Sequence, residues 1–171
     1  MQCRLALLAA LLFTPIVAEA QPRPQKLGEF QSWTAASFAE GGQKTCYAFA
    51  RPSKSEPARQ GVMLTVTHRH TARDTVTISA GYAFPRGTDT RPVDAAVNVG
   101  GTELNFYTSG STAAARDGAA AVRAFRNGKE AVMKAPGANG RGTVADTFPL
   151  AGFGAAYEAI SKECPAGGAK R

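Results

Sequence analysis

Hydrophobic and polar residues alternate with a period of two over several short stretches of this chain. Between Gly61 and Arg69, Val62, Leu64 and Val66 alternate with Met63, Thr65 and Thr67. Between Thr75 and Tyr82, Val76, Ile78 and Ala80 share one side. Successive strand side chains point to opposite faces, so these two runs, joined by the short polar stretch Thr71–Asp74, predict a β-hairpin. Lys44–Ala50 reads the same way, with Cys46, Ala48 and Ala50 on one face. Ala95–Val99 and Thr102–Tyr107 flank Gly100-Gly101, a two-residue hairpin signal, and Leu104 and Phe106 point together. Glu29–Phe38 predicts a first strand with an irregular stretch, Glu130–Lys134 and Thr143–Phe148 the last ones. The Pro-, Gly- and Ser-rich segments Arg51–Gln60, Pro85–Pro92 and Pro136–Gly142 are loops.

The period changes twice. Ala113–Asn127 is rich in Ala and Arg, carries Val122 and Phe125 three apart, and ends at Gly128, which predicts a helix with a glycine stop. From Gly152 to Glu163, Phe153, Ala156, Tyr157, Ile160 and Cys164 form one helical stripe that Pro165 terminates. Many short strands with Gly and Pro turns, and helices only late, predict a mainly β fold. The expected form is an antiparallel β-sandwich with two late helices, the last one packed on the sheet.

The 171 residues amount to one domain, and 44% hydrophobic residues suffice for a packed core. The first 20 residues do not fit that domain. A basic start, Met1–Arg4, precedes an apolar run from Leu5 to Ala18, and Ala18-Glu19-Ala20 presents small residues at the positions flanking a signal-peptidase site. Residues 1–20 are read as a cleaved signal peptide, 21–28 as an exposed leader, 29–164 as a single β-rich domain and 165–171 as a flexible tail. The apolar run falls short of the roughly 20 residues a membrane span needs, and no later stretch is long and apolar enough. The expected location is periplasmic or secreted.

Cleavage after Ala20 removes one of the three cysteines, Cys3, and one charge of each sign, so the net charge stays at +7. Cys46 and Cys164 remain, and an even count in an oxidising compartment points to one disulfide; two separate buried thiols are the alternative. Closing a loop of that length stabilises a fold by roughly 4–5 kcal/mol in the chain-entropy account.

His68 and His70 are two apart, a spacing that places both rings on one strand face as some metal sites need, and Asp74 could approach across the hairpin. The competing reading is a pair of polar side chains on the solvated face near a strand end. The glycine-rich Gly137–Gly142 lacks the Lys-Ser/Thr of a phosphate-binding loop. There is no Gly-x-Ser-x-Gly elbow and no Cys-x-x-Cys, and no carboxylate pair can be nominated from spacing. No catalytic residue, metal ligand or cofactor is therefore assigned, and an enzyme is not expected. Arg116, Arg123, Arg126 and Lys129 make a candidate basic patch toward an envelope or host protein, anionic lipid or lipopolysaccharide, against the alternative of a solvated helix face. Nucleic acid is a poor partner for an exported chain without interleaved basic and aromatic residues.

One set of residues goes beyond composition. Trp33, Cys46-Tyr47, the Val62–Val66 strand, Thr77-Ile78-Ser79, Gly81-Tyr82 and Phe84 are followed by Arg141-Gly142-Thr143, Asp146-Thr147-Phe148, Leu150, Gly152-Phe153, Ala155-Ala156, Ile160 and Cys164. This pattern resembles the invasion-associated locus B family of exported bacterial proteins, from about Phe30 to Cys164. Asp146 to Cys164 is its most specific part. The resemblance implies a non-enzymatic, β-rich periplasmic or surface-associated domain, acting in envelope function or host-cell interaction. A small-ligand or lipid carrier, and an enzyme with a site around His68 and His70, are the alternatives. Trp33, Asp146, Gly152 and Phe153 are the markers of the family pattern, with Trp33, Phe153 and Tyr157 read as core and Gly152 as the helix entry. The chain departs from the pattern at Ala113-Ala114, where members often carry a Trp, and at Phe148-Pro149, where an aromatic-Ser pair is commoner.

Overall fold

A computed structural model describes residues 23–40, 42–88 and 93–166. The expected signal peptide, the first two leader residues and the tail beyond Ala166 lie outside the described residues. The described chain forms β1 (Gln25–Phe30), β2 (Trp33–Glu40), β3 (Gln43–Ala50), β4 (Lys54–Glu56), β5 (Val62–His68) and β6 (Thr75–Ala80). Then come β7 (Asp94–Val99), β8 (Thr102–Ser109), β9 (Thr112–Ala115), α1 (Gly118–Asn127), β10 (Glu130–Pro136), β11 (Thr143–Pro149) and α2 (Phe153–Glu163).

Alternation explains most of the strands. Leu64, Val66, Ile78, Ala48 and Phe106 are all fully buried, while their sequence neighbours Thr65, Thr77, Phe49 and Tyr107 face outward. The Gly100-Gly101 turn has both residues at positive φ (57° and 89°), as a tight hairpin between twisted strands requires.

Three elements depart from expectation. The first strand is a hairpin: β1 begins at Gln25, inside the expected leader, and turns at Gln31-Ser32 into β2. The segment Arg51–Gln60 contains β4, whose polar Lys-Ser-Glu has no hydrophobic alternation; only its backbone pairing with Ala145–Thr147 of β11 makes it a strand. The helix expected from Ala113 starts at Gly118 instead. Thr112–Ala115 pairs with both β6 and β8, and Ala113 is fully buried. Strand pairing overrides alanine's helical preference there. Asp117 then caps the helix by accepting from the Ala120 N–H at 2.8 Å.

The strands hydrogen-bond in one antiparallel sheet of order β1-β2-β3-β5-β6-β9-β8-β7-β10-β11-β4. The fold is mainly β with two late helices, as expected, but the layers belong to one continuous sheet. That sheet folds over on itself. β4 follows β3 within a few residues in the chain yet lies at the far edge of the strand order, and the two halves are tied directly. Trp33 Nε1 donates to the Pro149 carbonyl at 3.0 Å, and the Ser32 N–H donates to the Ala151 carbonyl at 3.3 Å.

The interior is filled by Trp33, Phe106, Phe125, Phe148 and Phe153, all essentially inaccessible to solvent. Phe153 touches Trp33 (ring centroids 4.9 Å), Phe125 (5.5 Å) and Tyr157 (5.7 Å). Each such buried ring contributes about 1.5–3 kcal/mol. The α2 stripe is realised as read: Phe153, Ala156 and Ile160 face the sheet. Its entry depends on Gly152, at φ 89°, where a Cβ would lie 1.9 Å from the Phe30 carbonyl oxygen. Its exit is covalent. Cys164 bonds Cys46 of β3 with a Cα–Cα distance of 6.0 Å and a sequence separation of 118.

Candidate functional site

Beside the disulfide, α2 and the β5–β6 hairpin bring together a serine, a histidine and an aspartate. His68 is the inward-facing last residue of β5, opposite Cys46 in the β3–β5 register, and is fully buried. This corrects the reading of His68 and His70 as neighbours on a solvated face. β5 ends at His68, and His70 lies beyond it, exposed. The signal was present in the sequence: His68 has the same parity as Val62, Leu64 and Val66, so the strand carries it into the core.

The cluster resembles a nucleophile–base–acid relay in composition only. The Asp74 N–H donates to His68 Nδ1 at 3.3 Å, which leaves the ring proton on Nε2. Nε2 therefore donates to Ser161 Oγ at 3.1 Å, and Arg73 donates to the same oxygen at 3.3 Å. A serine nucleophile needs the opposite tautomer, with Nε2 bare to take the hydroxyl proton and an acid on Nδ1–H. Here the Asp74 carboxylate lies 3.8 Å from Nδ1 and accepts instead from the Tyr157 hydroxyl at 2.6 Å. Burial, and then the Arg73 cation, hold the His68 pKa below its ordinary value against the opposing Asp74 charge, which keeps the ring neutral. Burial and the Asp74 hydrogen bond push Tyr157 up, so it stays a donor. Arg73 also donates to the Cys164 carbonyl at 2.6 Å. Apart from the Asp74–His68 bond within the hairpin, these polar contacts tie α2 and its C-terminal cap to the hairpin. Among the described residues no group of three or more His, Cys, Asp or Glu could hold a metal ion.

A second buried polar cluster lies at the other closure of the sheet. Asp146, on β11, is fully buried, and its Oδ2 accepts from Arg59 at 2.5 Å. Arg59 also donates to the carbonyls of Ala80 (3.0 Å) and Pro57 (2.8 Å) and lies over the Tyr82 ring at 5.4 Å. Tyr82 donates to the Pro136 carbonyl at 2.6 Å. Asp146 Oδ1 and Ser55 Oγ, opposite one another in the β11–β4 register, have no hydrogen-bond partner among the described residues. Sequence reasoning singled out Asp146 but missed Arg59. The signal was chemical: an aspartate between core positions of a strand needs a buried cation.

The four residues of the basic patch lie around α1 but do not converge. Arg116 pairs with Asp94 at 2.9 Å and lies over Tyr107 at 5.8 Å. Arg126 lies over Tyr157 at 4.7 Å, with Glu158 at 4.0 Å. Arg123 is exposed and lines an open groove of about 400 Å³ with Val99, Leu104 and Asn127, and Lys129 is exposed after the helix.

The folded-over antiparallel sheet, with its last helix bonded to β3, defines the molecule as a disulfide-linked, mainly β domain. Its family follows from comparison. The family model described as Invasion associated locus B (IalB) protein matches residues 33–161, and the chain belongs to that family. Comparison with curated proteins and with solved structures gave no match. The match runs from Trp33 through Asp146, Gly152 and Phe153, which are respectively the core tryptophan, the buried carboxylate, the α2 entry and the ring at the centre of the core.

Proposed function

We propose that this protein is an exported, non-enzymatic member of the invasion-associated locus B family that acts in the bacterial envelope or in host contact through its surface. The observation that carries the reading is the α2 closure. A disulfide suited to an oxidising compartment sits beside a Ser–His–Asp set whose tautomer and hydrogen bonds serve structure. The carrier alternative loses support from the interior, where Trp33, Phe106, Phe125 and Phe153 occupy the space between sheet and helices. Arg123 and Lys129 supply the free cationic part of the candidate patch toward anionic lipid or lipopolysaccharide.

Cell fractionation with intact-mass measurement tests the proposal. The expected result is a periplasmic or secreted protein lacking residues 1–20, with no thiol alkylated before reduction. A cytoplasmic protein with its first segment intact and two alkylatable thiols among the remaining residues would overturn it.

A further inference from the structure

The sheet has one outward face without charge. Inward positions of β2, β3, β5, β6 and β9 face α2 and the core, as the Cys46–Cys164 bond and the His68–Ser161 contact show. The alternate positions face away. From Thr34 to Phe38, Thr45 to Phe49, Met63 to Thr67, Thr75 to Ser79 and Thr112 to Ala114, none of those outward positions carries a charged residue. Charge returns at Glu40, the last residue of β2 and next in the outward register, and beyond the ends of β3, β5 and β9 at exposed Arg51, Arg69 and Arg116. It also returns at the β1 edge, with the Lys26–Glu29 pair. The outward positions of β7, β8 and β10 carry Asp94, Glu103, Glu130 and Lys134, so the neutral face is not a product of a charge-poor chain.

The neutral face has two kinds of surface. Phe38, Tyr47 and Phe49 are half-buried rings in contact, at centroid distances of 6.0 Å and 6.1 Å, the second pair nearly parallel at 25°. Beside them half-buried hydroxyls run across the strands: Phe49 is registered with Thr65, and Thr65 with Thr77, while Thr67, opposite Tyr47, is buried. Neighbouring strands are about 4.8 Å apart, so the face extends roughly 19 Å from β3 to β8. At β8 it ends on Tyr107, which is 46% exposed and the most open large hydrophobic side chain among the described residues.

We propose that this face binds a neutral polysaccharide strand. Aromatic rings present a flat apolar surface to the C–H faces of sugar rings. Threonine and serine hydroxyls donate to and accept from sugar hydroxyls, and an uncharged ligand meets no buried charge to desolvate. A phosphorylated or otherwise anionic ligand would find no cation at these outward positions: Lys44 of β3 has the opposite parity and pairs with Glu163, and Arg116 beside Tyr107 pairs with Asp94. A second copy of the chain would bury the hydroxyl rows against like rows, where each group needs a new partner. The inference rests on the reading of the chain as a binding protein of the envelope. It fails separately from that reading, since location is tested by fractionation and this face by titration.

The test titrates the mature protein with neutral hexasaccharides of β-1,4-linked glucose, α-1,4-linked glucose and β-1,4-linked N-acetylglucosamine, read by calorimetry. The expected result is binding of at least one, weakened roughly tenfold in Tyr47→Ser, the loss of one stacked ring. Thr77→Lys, a change on a half-exposed position, is expected to abolish binding while near-ultraviolet circular dichroism stays unchanged. Absence of binding to all three, or equal binding in both variants, would overturn the proposal. So would preferential binding to phosphatidylglycerol vesicles, or a dimer that Thr77→Lys converts to monomer.

Discussion

The sheet is closed at two places, and the two closures are built from different chemistry. At α2, a disulfide, the Tyr157–Asp74 hydrogen bond, the His68–Ser161 contact and Arg73 all act on one helix, and the buried polar groups are paired. At β4 and β11, one buried ion pair, Arg59–Asp146, adds to the backbone ladder, and Asp146 Oδ1 and Ser55 Oγ there have no partner among the described residues. The first closure spreads its free energy over a covalent bond and several weak contacts. The second sets one buried charge pair on a backbone ladder, and a buried charge is tolerated only while its partner is present. The α2 closure should therefore lose stability in increments, and the β4–β11 closure in one step.

The largest expected effect separates the covalent part of the first closure. Replacing Cys46 and Cys164 together by serine should lower unfolding free energy by about 4 kcal/mol, because 118 residues are no longer constrained in the unfolded chain. Urea unfolding measures it, and a loss below about 1 kcal/mol would show that the polar contacts alone hold α2. Arg59→Ala should cost about 3 kcal/mol by leaving Asp146 buried and unpaired. The double replacement Arg59→Met with Asp146→Leu should recover most of that loss, which a purely packing role for Arg59 would not allow. Because the two clusters share no residue, combining Arg59→Ala with the cysteine replacements should give nearly additive losses.

Gly152→Ala is expected to cost about 2 kcal/mol, since alanine is strained at φ 89° and its Cβ would overlap the Phe30 carbonyl. A thermal melt reads this as a lower Tm. The smallest effects lie within the α2 cluster. Ser161→Ala should cost about 1–2 kcal/mol, the net value of the two hydrogen bonds its Oγ accepts.

The His68 contribution should depend on pH. Its folded pKa lies below the ordinary 6.5, so the unfolded chain takes up the proton first as pH falls. The stabilisation is complete above pH 6.5 and is lost as pH drops below that value toward the folded pKa. Urea midpoints measured across that window should fall with acidification, and His68→Gln should remove that part of the slope. A midpoint that rises on acidification would reverse the assignment.

Much of this architecture is legible along the chain. The β5–β6 hairpin, the Gly100-Gly101 turn and the α2 stripe follow from local periodicity and turn chemistry. The β4 strand does not, because three polar residues carry no pattern and become a strand only against β11. Nor does the start of α1, where pairing to β6 and β8 decided between two structures that alanine tolerates. For the candidate sites, parity alone would have placed His68 inward, but its tautomer is set by the Asp74 N–H from a loop with its own backbone conformation. The neutral face was visible strand by strand as Thr, Ser and aromatic positions, yet its continuity depends on β6 lying beside β9.

Sequence by itself determined the β5–β6 and Gly100-Gly101 hairpins, which two cysteines remain after the expected signal cleavage, and which face of α2 is buried. Those properties are local, or nearly so, and rest on side-chain period and backbone freedom. Only the tertiary structure decided that β7 meets β10 and that β4 closes on β11. It also decided that Arg59 reaches Asp146 and that five strands present one uncharged surface. Such pairings join segments far apart in the chain, and their free energy comes from shared burial and backbone hydrogen bonds that exist only once the sheet has folded over.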